Sequence, residues 1–378
     1  MDAARLLAAA AAHQTPLAVV DIESMEANLA AMQALAGAAG VRLRPHAKTH
    51  KSAYVARRQL AHGAAGLTAA TLREAEVFAR AGAADLLLAH PPVGAAKLAR
   101  LAALGERVER LAVSLDSVEV AAALPEPVAV LWDVDTGHHR VGTAPGSPTV
   151  AGVGALVETI GASRFRGLLS FPGHAYGVTD PADLAGVAAG ERQAMLETAV
   201  QLARAGIAVA ELSVGSTPTL RWTVAEAGAP PMGAADDIRV TEVRPGSYVY
   251  GDAQQVATGA MTLEDCALAV MATVVSTPAR DRAVVDAGSK AMGIDRSISW
   301  LRGLGMVPGR GDLVLERVSE EHGVLIVPGG DTQLHIGDRV LIVPAHCCTT
   351  VNLHPAVLMV GADRAWWDPV AARGWQPA

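Results

Sequence analysis

The stretch GLTAATLREAEVFARAGAADLLLAH, residues 66–90, decides the fold of this chain. It opens with a short apolar segment over 66–71 and closes with a second over 85–90; between them Leu72, Ala75, Val77, Phe78 and Ala79 recur at helical spacing over 71–81. A strand, a helix and a strand in so short a span read as a βαβ unit, which forces its two strands to run parallel. The same alternation extends in both directions. After an initial strand over 17–22, strands are expected over 41–48, 66–71, 85–90, 110–116, 128–135, 165–171, 211–215 and 242–250, eight of them separated by alanine-rich helical stretches.

Eight parallel strands with helices between them predict an α/β protein built on a (β/α)8 TIM-type barrel. An open doubly wound sheet is the alternative, although no glycine-rich dinucleotide fingerprint follows the first strand. Beyond Gly251 the texture changes to short β segments over 267–276, 283–287, 323–327 and 339–343, broken by Gly, Pro and Asp. The expected division is therefore a barrel over 23–250 and a mostly β domain over 251–378 together with 1–22.

With 378 residues, 51% of them hydrophobic, the chain has ample material for a large core. A net charge of -7 provides no broad basic face for nucleic acid or a membrane surface, so small-molecule partners are expected. Three cysteines, Cys266, Cys347 and Cys348, do not make a disulfide framework, and a reducing cytoplasm is the expected location. The apolar run over 6–12 is short and reads as an amphipathic helix rather than a signal peptide or a membrane span.

Barrel enzymes gather their chemistry at the C-terminal ends of the strands, and polar residues stand at several of these ends here. Arg44-Pro-His-Ala-Lys48-Thr-His-Lys51 offers a lysine that partial desolvation would make nucleophilic, or else a solvated basic turn. Val214-Gly215-Ser216-Thr217-Pro-Thr219 could hold a phosphate on small residues and hydroxyls, or be a plain tight turn. Asp133-Val-Asp135-Thr-Gly-His-His-Arg140 and Phe171-Pro-Gly-His174-Ala-Tyr176 bring ionisable groups to the same rim. There Arg140 could face a cofactor ring nitrogen, and His174 or Tyr176 could pack on the ring or move protons. In the second domain, His346 and Cys348 are two apart, so on an extended strand they share a face and could bind one ion, zinc being favoured by the thiolate. A buried cysteine beside a capping histidine is the plainer reading.

Together these motifs, with Glu242-Val-Arg-Pro-Gly-Ser-Tyr248, Asp286-Ala-Gly-Ser-Lys290 and Glu321-His322-Gly, resemble the D-threonine aldolase and D-serine dehydratase family over nearly the whole chain. The resemblance implies an alanine-racemase-type fold, a pyridoxal-phosphate barrel plus a β domain, and a homodimer. It also implies Lys48 as the Schiff-base lysine, Gly215, Ser216 and Thr217 on the phosphate, Arg140 near the pyridine ring and Tyr248 in support. His346 and Cys348 fall on a divalent metal, zinc or manganese, with cobalt, nickel and magnesium as alternatives. The implied activity is cleavage or dehydration of D-3-hydroxy amino acids. Glu26-Ala-Asn-Leu-Ala-Ala-Met-Gln33, Ser276-Thr-Pro-Ala279 and Thr350-Val-Asn-Leu-His354 look like the aldolases, whereas Gly-Ser-Thr-Pro-Thr and Cys348 look like the dehydratases. The balance of motifs leans to a D-threonine-type aldolase giving glycine and an aldehyde. Deamination of D-serine or D-3-hydroxyaspartate to a keto acid and ammonia is the close alternative. A racemase on the same fold and a non-catalytic pyridoxal-phosphate-binding protein are the rival classes, and neither requires the metal pair.

Overall fold

Thr71 ends one strand and starts the next helix: its backbone is extended, and its hydroxyl accepts the amide of Glu74, capping the helix Leu72–Arg80. Glu74 in turn accepts the amide of Ala70 at 2.6 Å, tying the first turn of the helix back to the residue before its cap. Leu72, Ala75, Val77 and Phe78 form the buried face of that helix. The strands on either side pair in parallel, with Leu67 opposite Leu86. The residues that decided the sequence reading thus fold as one βαβ unit.

A computed structural model of the chain describes residues 1–227 and 238–374. They divide into two units, one of Met1–Ala30, Thr49–Ser52 and Ser247–Arg373, the other dominated by Ala31–Lys48 and Ala53–Gly246. The first strand, β1 (Leu17–Asp21), belongs to the former. The next eight are β2 (Arg42–Leu43), β3 (Leu67–Ala69), β4 (Asp85–Leu88), β5 (Arg110–Leu115), β6 (Ala129–Asp133), β7 (Phe165–Leu169), β8 (Glu211–Val214) and β9 (Glu242–Val243). They make one parallel sheet in the order β2-β9-β8-β7-β6-β5-β4-β3.

That sheet closes on itself. A parallel bridge joins His46 to Thr68, and the amides of Ala65 and Thr68 donate to Leu43 O and Pro45 O, both at 2.8 Å. Closure selects the barrel over the open sheet. Every strand of this sheet is shorter than expected, and β2 and β9 are cut back most, because Pro45 and Pro245 have no amide to offer a ladder. Beyond each proline the chain enters a 3-10 turn, Ala47–Thr49 and Ser247–Val249. Lys48 therefore stands on a turn past the strand end rather than closing the strand itself.

The other unit is antiparallel apart from one pair. Its strands are β1 with β10 (Leu268–Ala279), β11 (Arg282–Val285), β12 (Gly305–Met306), β13 (Val314–Val318), β14 (Gly323–Ile326), β15 (Arg339–Pro344), β16 (Ala356–Val360) and β17 (Ala365–Pro369). The circuit β10-β11-β14-β13-β12-β15 returns to β10, making a closed barrel, and β1, β16 and β17 extend the sheet from β10. Val270, Ala272, Leu315, Leu325 and Ile342 fill its core. β1 runs antiparallel to β10, Leu17 opposite Met271, and parallel to β16, Val19 opposite Leu358. The N-terminal helix spans Ala3–Ala9, capped by Asp2, and buries Leu6 against Leu17 and Met271. Among the described residues no helix is long and apolar enough to cross a membrane.

Candidate active site

The strand ends of the parallel barrel surround a cavity of about 470 Å³, within the range of small-molecule pockets. Of the residues singled out in the sequence, Lys48, Arg140 and Gly215 are on its wall. His46, Asp133, His138, Phe171 and Arg244 join them. Phe171 organises the group: Lys48 Nζ lies 5.6 Å and Arg140 Cζ 5.0 Å from its ring centroid, and the His138 ring meets it edge-on at 5.5 Å. The loop bearing His138 and Arg140 is pinned locally. Asp135 accepts the amides of Gly137 and His139 at 3.0 and 2.9 Å, and Asp116 accepts that of Gly142 at 2.7 Å.

Burial and clustered cations set the protonation states. His46 is held well below the usual histidine range by burial and then by Lys48, Arg244 and Arg140, and its buried Nδ1 has no hydrogen-bond partner. Burial and Arg140 also lower His138. Both rings are therefore neutral at neutral pH, His46 the more firmly so. Burial pushes Asp133 up to about 6, against the hydrogen bond from Ser114 and the charge of Arg244. Arg244 is itself buried and donates to Ser213 Oγ and Ser170 O; burial lowers its pKa, with Glu242, Glu191 and Asp133 opposing the shift.

The other expected residues lie elsewhere. His174 and Tyr176 are on the 3-10 turn Gly173–Tyr176 and are not on the cavity wall among the described residues. The His174 ring covers Gly137, where a Cβ would come within 3.2 Å of it. Ser216 and Thr217 are buried in the turn after β8. The first two amides of that turn are engaged within the protein, Gly215 N with both Glu191 oxygens at 3.2 Å and Ser216 N with Thr219 Oγ1 at 3.2 Å. Tyr248 is buried on the turn Ser247–Val249 of the β unit.

His346 and Cys348 do come together, but not along a strand. β15 ends at Pro344, His346 caps the helix Cys347–Leu353 with extended backbone, and Cys348 is in the first turn of that helix. The two side chains hydrogen-bond. Thr49 Oγ1 lies 3.2 Å from Cys348 Sγ, and Asp295 Oδ2 lies 3.7 Å from His346 Nδ1. Burial works against a charge on His346, but Cys348, Asp252 and Asp295 outweigh it and raise its pKa to about 9. An imidazole and a thiol so paired are the right donors for a borderline-soft divalent ion. Among the described residues no set of three or more His, Cys, Asp or Glu side chains completes a shell.

Residues 20–254 match the family model of the alanine racemase N-terminal domain, and residues 267–360 match that of a putative serine dehydratase domain. A D-threo-3-hydroxyaspartate dehydratase from Delftia sp. (strain HT23) is 35% identical across 96% of this chain and 98% of its own length. A D-threonine aldolase from Arthrobacter sp. is 33% identical across 95% and 93%. The chain belongs to the D-threonine aldolase and D-serine dehydratase family. It is a pyridoxal-phosphate-dependent lyase with the alanine-racemase-like fold. The Delftia enzyme's structure covers 96% of this chain and 99% of its own with a TM-score of 0.84, and the structure of a D-threonine aldolase from Filomicrobium marinum, 31% identical, covers 95% of each with a TM-score of 0.81. Two further solved structures, both 35% identical to this chain, are D-threo-3-hydroxyaspartate dehydratase variants that carry alanine for a cysteine, in a metal-free form, and alanine for a histidine two positions before it. The cavity suits the family's cofactor: it offers a lysine, two arginines and an unpartnered buried imidazole nitrogen to an anionic aromatic ring.

Proposed function

We propose that this lyase acts on D-3-hydroxy amino acids, with pyridoxal phosphate on Lys48 in the barrel cavity and a divalent ion, zinc or manganese, on His346 and Cys348. The observation that carries the reading is Lys48 on the wall of a cavity shared with Arg140, Arg244 and two neutral imidazoles. Bound there, the cofactor would supply an electron sink for the bond that breaks at Cα, and the ion a Lewis acid for the 3-hydroxyl. The chain supplies the rest. Arg140, over Phe171, would serve the pyridine ring, and Gly215, Ser216 and Thr217 would hold the phosphate with support from Tyr248. His46, held neutral by burial and the surrounding cations, offers a hydrogen-bond acceptor and His138 takes the proton released from substrate, while Asp133, with a pKa of about 6, can exchange one near neutral pH. His174 braces the loop at Gly137, and Tyr176 shares its turn.

Within this activity, dehydration to a keto acid is favoured by the thiol of Cys348, since D-threo-3-hydroxyaspartate dehydratase variants of solved structure replace a histidine and a cysteine at the same two-residue spacing. Retro-aldol cleavage is the second reading, supported by an aldolase relative at nearly equal identity. The test is a product assay with pyridoxal phosphate and zinc or manganese on D-threonine, D-serine and D-threo-3-hydroxyaspartate. Keto acid with ammonia establishes the dehydratase, and glycine with an aldehyde establishes the aldolase. Neither product from any of the three substrates would refute the proposed substrate class.

A further inference from the structure

Glu191 reaches inward from the helix Leu184–Arg204 and is 1% exposed. Its Oε1 accepts Ser170 Oγ at 2.6 Å, and both its oxygens lie 3.2 Å from the Gly215 amide. Gly215, at φ +89°, is in the left-handed region that favours glycine and stands on the cavity wall. A phosphate ester arriving at this turn meets an amide that a carboxylate already occupies. Two anions on one amide, away from water, repel strongly, and the carboxyl relieves the conflict by becoming neutral.

We propose that Glu191 is a positioning residue for the cofactor phosphate: it holds the Gly215 turn before binding, takes up one proton as a phosphate ester enters, and releases the amide. The proton comes from solvent, and Ser170 Oγ changes from donor to acceptor. This rests on reading Gly215–Thr217 as the phosphate seat. The ionisable groups on elements packed against the helix are His174, Tyr176, Asp183, Glu158, Glu211 and Arg221, but the charge that acts on the carboxyl is that of Arg244, after β9. Burial, opposed by Ser170, Gly215 and Arg244, already pushes Glu191 up to about 7. Losing the Gly215 amide and gaining a neighbouring dianion both raise it further. Because the bound state then holds a proton that the free state gives up above pH 7, binding weakens as pH rises, by up to about tenfold per unit.

The test is calorimetric titration of full-length apoenzyme with pyridoxine 5′-phosphate, which has no aldehyde to condense with Lys48, between pH 7 and 9, where its phosphate is a dianion. Two buffers of different ionisation enthalpy report proton uptake. The wild type should take up close to one proton per ligand at pH 8. Glu191→Gln, which keeps both hydrogen bonds but cannot titrate, should take up that much less and lose the added pH dependence. Identical pH dependence in the two proteins overturns the proposal; should the variant fail to fold, absence of proton uptake by the wild type overturns it alone. Thr217→Val and Ser216→Ala separate the two readings. If neither weakens pyridoxine 5′-phosphate relative to pyridoxine, the phosphate seat itself is wrong.

Discussion

Replacing Arg44 by methionine removes the cation from a buried trio that ties the barrel together across its closure. Arg44 follows β2, is 2% exposed, and donates to Glu242 at the start of β9 at 2.8 Å and to both Asp85 oxygens at the start of β4 at 2.8 and 3.0 Å. Glu242 is fully buried, and its other cation, Arg42, is 3.7 Å away and more than a third exposed. Without Arg44 the two carboxylates lose a fork-shaped partner for which nearby side chains are poor substitutes. Breaking one side of a buried ion pair costs about 3–5 kcal/mol, which at about 2–4 °C per kcal/mol for a domain of this size lowers the melting temperature by about 10 °C. Thermal and urea unfolding followed by circular dichroism measure the loss. The triple variant Arg44→Met, Asp85→Asn, Glu242→Gln should recover much of it, since neither buried carboxylate is then left charged without Arg44. A loss below about 1 kcal/mol for Arg44→Met, the range of a solvated surface pair, would refute the argument.

Lys48→Ala should abolish the visible absorbance of bound cofactor, and a variant that kept it together with full turnover would remove Lys48 from the site. Cys348→Ala should keep that absorbance but lose at least about 100-fold in metal-dependent turnover, with the residual rate insensitive to a chelator. Asp133→Asn should stabilise the protein, more so at higher pH. The folded-state pKa is raised from 3.8 to about 6, so the buried carboxylate's cost is absent below the unfolded value and grows until pH passes the folded one. The gain at pH 8 should exceed that at pH 5 by about 1.5 kcal/mol, and equal gains at both would show that Asp133 is not perturbed by burial.

The strands β3 to β8 were legible because a parallel strand covered on both faces must be continuously apolar, as Asp85–Leu88 and Arg110–Leu115 nearly are. β2 and β9 end well before 48 and 250 because Pro45 and Pro245 lack the amide a ladder needs and the chain then turns into 3-10 helix, even though Pro45 O and Pro245 O still accept the amides of Thr68 and His46. In the β unit, Gly305–Met306 is too short to give a period, and Val314–Val318 is half charged and irregularly paired. The cavity was legible at Lys48 and Arg140, which stand out chemically at strand ends. Arg244, Asp133 and His46 carry no spacing signal of their own, since their importance comes from burial among one another's charges. His346 and Cys348 lie side by side, but not for the reason the sequence suggests, because Pro344 ends the strand before them and a helix turn, rather than an extended face, joins their side chains.

The placement of β1 between β10 and β16 has a consequence for biosynthesis. β1 is apolar and wholly buried, yet both of its neighbours lie near the other end of the chain, beginning at Leu268 and Ala356. At translation rates of about 5–20 residues per second, the roughly 250 residues between β1 and β10 take on the order of ten to fifty seconds to emerge. Throughout that interval the barrel strands can pair among themselves while the leading segment has no native sheet to join. An unpaired apolar strand exposes surface that can aggregate until its partners emerge, so β1 is vulnerable throughout that interval.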